Sequence, residues 1–283
     1  MTETRELSYT LSQEQVFFLT QLLDLKPVFG FEDPFKGYLV DEIQARFELV
    51  MKELQALQYA RLNEEGKWEI EALLSACLFA CGGDDGIQLA KRTPEGHVYQ
   101  ANLYFTPHIV TEMSPSSERE GHLVFRPLSD ARRTVSELFR FFPDPVEATD
   151  YWYTDLEDMM MDDWMKLTVE EQADLLGRKG LEEDRMLEIL NAYHVREGQG
   201  AMRKWKRERH YWFSAGIYYY AIEDSIVLAS EQRGRKLRFQ TYRFDDVKEF
   251  LTTFAFRFVE AYNEEADAQL ELLKKRWVSE LNQ

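Results

Sequence analysis

The chain has 283 residues, 45% of them hydrophobic and 14% aromatic, with 34 Lys and Arg against 51 Asp and Glu for a formal net charge of −17. That apolar fraction marks a globular protein with a sizeable core, and the acid excess excludes a polyanion or an anionic membrane surface as main partner. No apolar run nears the ~20 residues of a membrane span and the N-terminus has no signal-peptide core, so the expectation is a soluble cytoplasmic protein.

In chain order, Ser12-Gln13-Glu14-Gln15 has the form of a capping box and opens a helix with Val16, Leu19, Leu22 and Leu23 on one face. Lys26-Pro27 stops it. A second helix is expected from about Gly37 to Leu57, with Leu39, Ile43, Phe47, Val50, Leu54 and Leu57 inward. Tyr59 to Leu62, the turn Asn63 to Lys67, and Trp68 to Ile70 read as a small hairpin, followed by a short helix from Glu71 to Ala80. Strands are expected at Ile87–Ala90, Val98–Phe105 and His122–Arg126, with a Ser-, Pro- and Glu-rich loop at Ser114–Gly121. Ser129 or Asp130 then caps a helix carrying Val135, Leu138, Phe139 and Phe142.

Pro143-Asp144-Pro145 reads as the boundary between two halves, 1–143 and 144–283. From Asp144 to Glu188 there are 15 acidic residues against 4 basic ones. Thr168-Val169-Glu170-Glu171 is a second capping box, and Leu181–Tyr193 a further helix. The charge then reverses, with 10 basic residues against 4 acidic between Arg203 and Arg243. His210 to Ile222, Ile226 to Ala229 and Leu237 to Tyr242 read as three antiparallel strands, joined by turns at Glu223-Asp224 and Gln232–Arg235. A helix follows, capped by Asp245 and carrying Val247, Leu251, Phe254 and Phe258. The same order of strands and closing helix occurs in both halves, so the chain reads as a repeat of similar plan.

The last helical pattern, with Tyr262, Ala266, Leu270, Leu273 and Trp277 as its apolar positions, is long. Asp245 to Leu281 holds 37 residues without Pro or Gly. Unbroken, they would extend about 55 Å, beyond the roughly 48 Å diameter of a globule this size. The helix must therefore overhang the body or fold back after a bend near Asn263.

No motif for catalysis stands out. There is no Gly-rich phosphate loop, no Gly-x-Ser-x-Gly elbow and no His-Glu-x-x-His. Cys77 and Cys81 lie one helical turn apart and read as core thiols in a reducing compartment, since no second pair supplies the other zinc ligands. Gly82–Gly86 fails as a calcium loop, because alignment puts Cys81 and Arg92 where carboxylates belong. No catalytic residue, cofactor or metal is expected. Two binding alternatives stay open. Arg203 to Trp212 mixes base and aromatic as a nucleic-acid groove would, and residues 12–70 have the helix–helix–hairpin order of a winged helix, although its second helix and wing carry excess acid. An immunity-type or adaptor protein that binds a toxin would share the same bulk features.

The amphipathic start Leu11 to Leu19, the hairpin Leu57–Ile70, the helix through Leu78 and the strands at Ile87–Leu89 and Leu103–Phe105 together resemble the EspG-type cytosolic chaperones of type VII (ESX) secretion. Ala173-Asp174-Leu175-Leu176-Gly177, the helix Leu181–Tyr193, three strands and a closing helix extend the resemblance to about residues 8–260. The chain departs from the family pattern in its long final helix and in the acidity of Met159–Glu170. The resemblance implies an α+β fold of two pseudo-symmetric halves sharing a central antiparallel sheet flanked by helical bundles. It implies a non-enzymatic chaperone that keeps helical-hairpin secretion substrates soluble. In a non-mycobacterial relative the clients would be of the WXG or LXG kind rather than PE–PPE pairs. Tyr- and Trp-rich sheet faces with Arg at their edges suit such contacts. The stripe Arg238, Gln240 and Tyr242, with Trp205, Trp212, Tyr218 and Tyr220, is the expected client surface.

Overall fold

A computed structural model describes residues 7–144, 150–194, 198–222 and 225–281, with the side chains of 211, 212 and 277–281 outside that description. The expected turn at Glu223-Asp224, Pro145 of the expected boundary and the side chain of Trp277 lie outside the described residues. In chain order the elements are β1 (Tyr9–Ser12), α1 (Gln13–Leu22), α2 (Val40–Ala56), β2 (Ala60–Leu62), β3 (Trp68–Ile70), α3 (Ala72–Cys81), β4 (Asp85–Arg92) and β5 (Val98–Phe105). There follow β6 (Val110–Pro115), β7 (His122–Pro127), α4 (Ala131–Leu138), β8 (Tyr153–Leu156), α5 (Met161–Trp164), α6 (Val169–Arg178) and α7 (Glu183–His194). The chain closes with β9 (Gly198–Arg207), β10 (Tyr211–Ile222), β11 (Ser225–Gln232), β12 (Lys236–Thr241), α8 (Phe244–Glu260) and α9 (Glu264–Leu281). The fold is α+β, with a ten-stranded antiparallel sheet in the order β1-β7-β6-β5-β4-β9-β10-β11-β12-β8 and a separate β2–β3 hairpin.

The chain forms two compact units that interleave in sequence. One takes the residues up to Gly86, Ala101–Thr134 and Phe256 onward; the other takes Ile87–Gln100 and Val135–Ala255. The boundary expected at Pro143-Asp144 thus falls inside the second unit.

In the first unit the capping box forms as expected: Ser12 Oγ accepts the Gln15 N–H, and Gln15 Oε1 accepts the Ser12 N–H. α1 buries Val16, Phe18 and Leu19, and α2 buries Val50, Met51 and Leu54, but Leu39 (70% exposed) and Leu57 (46%) do not face inward. α3 is apolar nearly all round, as a helix covered on several sides must be. Its N-terminus is capped by Glu71, whose carboxylate accepts the Leu73 and Leu74 N–H groups and the Tyr9 hydroxyl. Cys77 and Cys81 are free, fully buried thiols on this helix. Asp130 caps α4 by accepting the Arg132 and Arg133 N–H groups.

The long helical stretch bends. α8 ends at Glu260, and Asn263 starts a new helix, its side-chain oxygen accepting the Glu265 N–H at 3.0 Å and the Ala266 N–H at 3.4 Å. An Asn with this reach satisfies donors that a continuous helix would use internally, which is why the bend falls there. α9 packs against α3, buries Leu270 and donates from Lys274 Nζ to Leu128 O. The overhanging alternative is therefore set aside.

The second unit has more strands than the three expected. β9 precedes β10 in an antiparallel pair, and β8 adds itself to the far side of β12. One sheet face is covered by α5, α6 and α7, where Trp164, Leu176, Ile189 and Ala192 meet Tyr218, Tyr220, Val227, Leu237 and Phe239. The other face carries Tyr219, packed beside Phe141 and Phe142, with the start of α8. Gln172, fully buried in α6, donates to Trp164 O and bonds His194 at 2.8 Å, tying α5, α6 and α7 together.

Candidate binding cavity in the second unit

β9 alternates in a way its charge conceals. Met202 and Trp205 are fully buried, and the two cations between them also end on internal partners. Arg203 Nη2 donates to Asp162 Oδ2 at 3.0 Å with its guanidinium 3.5 Å from the Phe213 ring centroid. Lys204 Nζ donates to Phe250 O at 2.7 Å and lies 3.7 Å from the Phe250 ring centroid. These stacked and bonded positions are ones a solvated basic patch does not have. The reading of Arg203 to Trp212 as a nucleic-acid groove loses both of these cations.

Across β9, β10 and β11 the pairing sets up a row. Arg203 stands opposite Gly216, while Ile217 pairs with Ser230, so that Glu231 falls beside Gly216 on the other flank. The face is the one under α5. A Cβ on Gly216 would lie 2.5 Å from Tyr218 Oη and 2.7 Å from Glu231 Oε2, so glycine is what lets those two tips meet there. Glu231 is 6% exposed, and its Oε1 accepts the Met161 N–H at 3.1 Å at the start of α5. Its Oε2 meets the Tyr218 hydroxyl over Gly216, an interaction that favours the charged carboxylate. Burial pushes the Glu231 carboxyl above the usual carboxylate range, against the lowering pull of the Met161 N–H and of Arg203. The Tyr218 hydroxyl is likewise raised, first by burial and then by Glu231.

Beside this row opens a cavity of about 440 Å³, with Arg203, Tyr218 and Tyr220 on its sheet wall, Tyr193 and Met165 on its helical side and Val98 at its rim. Val98 is 73% and Met165 49% exposed, and Lys91, Arg92, Gln88 and Gln199 share the lining, so apolar and basic groups meet at an opening to solvent. A pocket with an apolar wall and a few convergent polar groups is the form of a binding site. No group of three or more His, Cys, Asp or Glu suited to a metal ion occurs among the described residues.

The expected client surface is not assembled as one surface. Tyr218 and Tyr220 line the cavity wall but are nearly fully buried, and Trp205 is wholly interior. Gln240, on the opposite face, donates to Asp246 Oδ2 at 2.7 Å, and the Tyr242 hydroxyl donates to Pro143 O at 2.7 Å; both residues are buried. Arg238 alone of the described set is partly open. It bonds both oxygens of Asp155 at 2.8 and 3.1 Å, lies 4.7 Å from the Tyr153 ring and holds the Asp155 carboxyl low. Trp212 lies on β10 opposite Lys206, and its side chain is outside the described residues. Period-two alternation told which residues share a face but not that helices cover both faces, so the aromatics went inside. Sequence reasoning did not single out Gly216, Glu231, Met165 or Tyr193; the one available signal was the alternation through Gly198–Arg207.

No family model and no curated protein matches this chain. Among solved structures, the Mycobacterium tuberculosis type VII secretion system chaperone EspG5, determined in complex with a PE25–PPE41 dimer, matches with a TM-score of 0.57. The match covers 87% of this chain and 95% of that one at 10% sequence identity. The fold is EspG-like. At that identity the likeness is one of fold, and it carries no residue of one chain onto the other. No helix among the described residues is long and apolar enough to cross a membrane.

Proposed function

We propose that this chain is a non-enzymatic cytosolic chaperone or adaptor that binds helical-hairpin substrates of a type VII secretion system and keeps them soluble before export. The observation that carries the reading is the likeness to EspG5 over nearly the whole of both chains, a protein solved with a PE25–PPE41 dimer bound. The cavity in the second unit supplies the physical means. A hairpin tip with an apolar anchor gains by leaving water for the Val98, Met165 and Tyr193 mouth, at about 25 cal/mol for each Å² removed from solvent. Clients of the PE–PPE kind fit the reading, as do shorter WXG or LXG hairpins.

The test is co-expression with small helical proteins of each of these kinds, followed by size-exclusion chromatography. A stable complex that is lost with Met165→Glu and Val98→Asp, and kept with the first-unit control Arg61→Ala, is the expected result. Failure of every such client to co-elute refutes the reading. Inhibition of a toxin in place of client binding would replace it with an immunity role.

A further inference from the structure

The cavity of the second unit differs in charge from the rest of the chain. Its described lining holds Lys91, Arg92 and Arg203 and no Asp or Glu, in a protein whose formal net charge is −17. Two of the three cations are engaged within the fold: Arg203 pairs with Asp162, and Lys91 Nζ donates to Phe141 O at 3.1 Å. Arg92 is exposed, and its side chain has no ion pair or hydrogen bond among the described residues. The turn between β4 and β5 sets its place. The Thr93 N–H donates to His97 O at 3.0 Å, which puts Arg92 opposite Val98 across the hairpin. Side chains directly opposite in an antiparallel pair stand about 5 Å apart. Both line the cavity, so a guanidinium and a 73% exposed valine lie side by side at its edge.

We propose that Arg92 selects partners with a carboxylate beside the apolar side chain they seat in the cavity, an Asp or Glu next to a Leu, Met or Phe of the client tip. The inference rests on reading the cavity as the client site. An apolar rim left open around the cavity, with Val98 and Met165 exposed, suits an occupant larger than the cavity itself, hence a segment of a partner chain. The sign of its charge follows from the lining, where cations stand without acids. A guanidinium stays charged at every physiological pH and takes a carboxylate through two parallel hydrogen bonds. At long range the net charge of −17 repels an acidic partner, so a carboxylate gains only where Arg92 meets it. A lysine in the same place is drawn to the chain as a whole and repelled at the cavity edge. Charges placed in this way fix register and exclude wrong partners more than they add affinity.

The experiment uses the full chain labelled with ¹³C-methyl methionine and follows the Met165 methyl resonance, assigned by its loss in Met165→Leu. The probes are the N-acetyl dipeptide amides Leu-Asp, Leu-Asn and Leu-Lys, which share the apolar anchor and differ in the charge beside it. The expected result is a saturable shift with the Leu-Asp probe binding about two- to fivefold tighter than Leu-Asn, the span of an exposed ion pair, and Leu-Lys weakest. The preference should vanish at about 1 M salt, where charges act over roughly 3 Å. Arg92→Gln should remove it, Arg92→Glu should turn it towards Leu-Lys, and Arg233→Gln, on a distant turn, should leave it unchanged. Equal binding of Leu-Asp and Leu-Asn, a preference that survives Arg92→Gln, or no shift with any probe overturns the selection. Hexanoate bound more tightly than Leu-Asp would replace the partner segment with a free acid and overturn it too. A charge-selective shift in a chain that holds no helical client supports the chemistry of Arg92 while removing the chaperone reading. Client binding that Arg92→Glu leaves unchanged removes the selection alone.

Discussion

Replacement of Glu231 by Gln should stabilise the protein at neutral pH, and by more the higher the pH. In the folded state Glu231 Oε1 accepts the Met161 N–H, Oε2 lies beside the Tyr218 hydroxyl, and the residue is 6% exposed. Gln keeps the acceptor for Met161 and turns the other position into an amide donor facing Tyr218. What is removed is a buried carboxyl group that is ionised at neutral pH in the unfolded chain and whose charged form burial disfavours. Burying a polar group with incomplete compensation costs about 1–3 kcal/mol, and a charged one costs more. The sign with pH is fixed by the direction of the shift. Burial raises the folded carboxyl above its unfolded value, so the native state binds the proton more tightly. Wild-type stability attributable to Glu231 is then fullest below the unfolded value, about pH 4, and is lost as pH rises through the folded one. Gln does not titrate, so the variant should match the parent in acid and exceed it near neutrality. For a chain of this size each kcal/mol moves the midpoint by about 2–4 °C. Urea unfolding and calorimetry at several pH values read both quantities. A variant less stable than the parent at neutral pH, or a gap that does not widen from acid to neutral, would refute the argument.

Other outcomes follow from the packing. Trp164 is fully buried with its ring 4.9 Å from that of Phe239, so Trp164→Ala should cost about 3–5 kcal/mol, read by denaturant unfolding, and a loss below 1 kcal/mol would mean the helical layer is not packed as described. Asn263→Ala removes the acceptor for two N–H groups at the start of α9 and should cost about 0.5–2 kcal/mol, with faster amide exchange at Glu265 and Ala266. Cys77 and Cys81 should resist a thiol reagent in the native protein and label fully on unfolding, because burial pushes the Cys77 thiol up to about 12 and the Cys81 thiol well above its ordinary value. Rapid native labelling of either would contradict their burial.

Much of the plan could be read from residues that act locally. Ser12 with Gln15 and Thr168 with Glu171 form the capping boxes that their spacing implies. The hairpin at 60–70 and the bend at Asn263 fall where short-range chemistry puts them. Two of the strands that escaped notice, β6 and β9, have a common cause. β6 buries Thr111 and Glu112 beside Val110 and Met113, so period-two alternation is blurred by polar residues inside. β9 hides its alternation behind Arg203 and Lys204, whose charges are neutralised by Asp162 and by a carbonyl with a ring, groups 41 and 46 residues away. Partners that distant are invisible to a local window. The same limit governs the site: Tyr218 and Tyr220 were marked by composition, but Gly216 matters only because Tyr218 and Glu231 converge on it.

The interleaving of the first unit has a consequence during synthesis. α3, with Leu73, Leu74, Cys77, Leu78 and Cys81 fully buried, rests against α9, which begins at Glu264. A ribosome moving at about 5–20 residues per second needs roughly 10–40 s between the two. The whole of the second unit, which closes by Ala255, is synthesised within that interval while an apolar helix of the first waits for its cover. The nascent chain thus displays for a time the kind of surface that, in its finished form, it is proposed to shield in others.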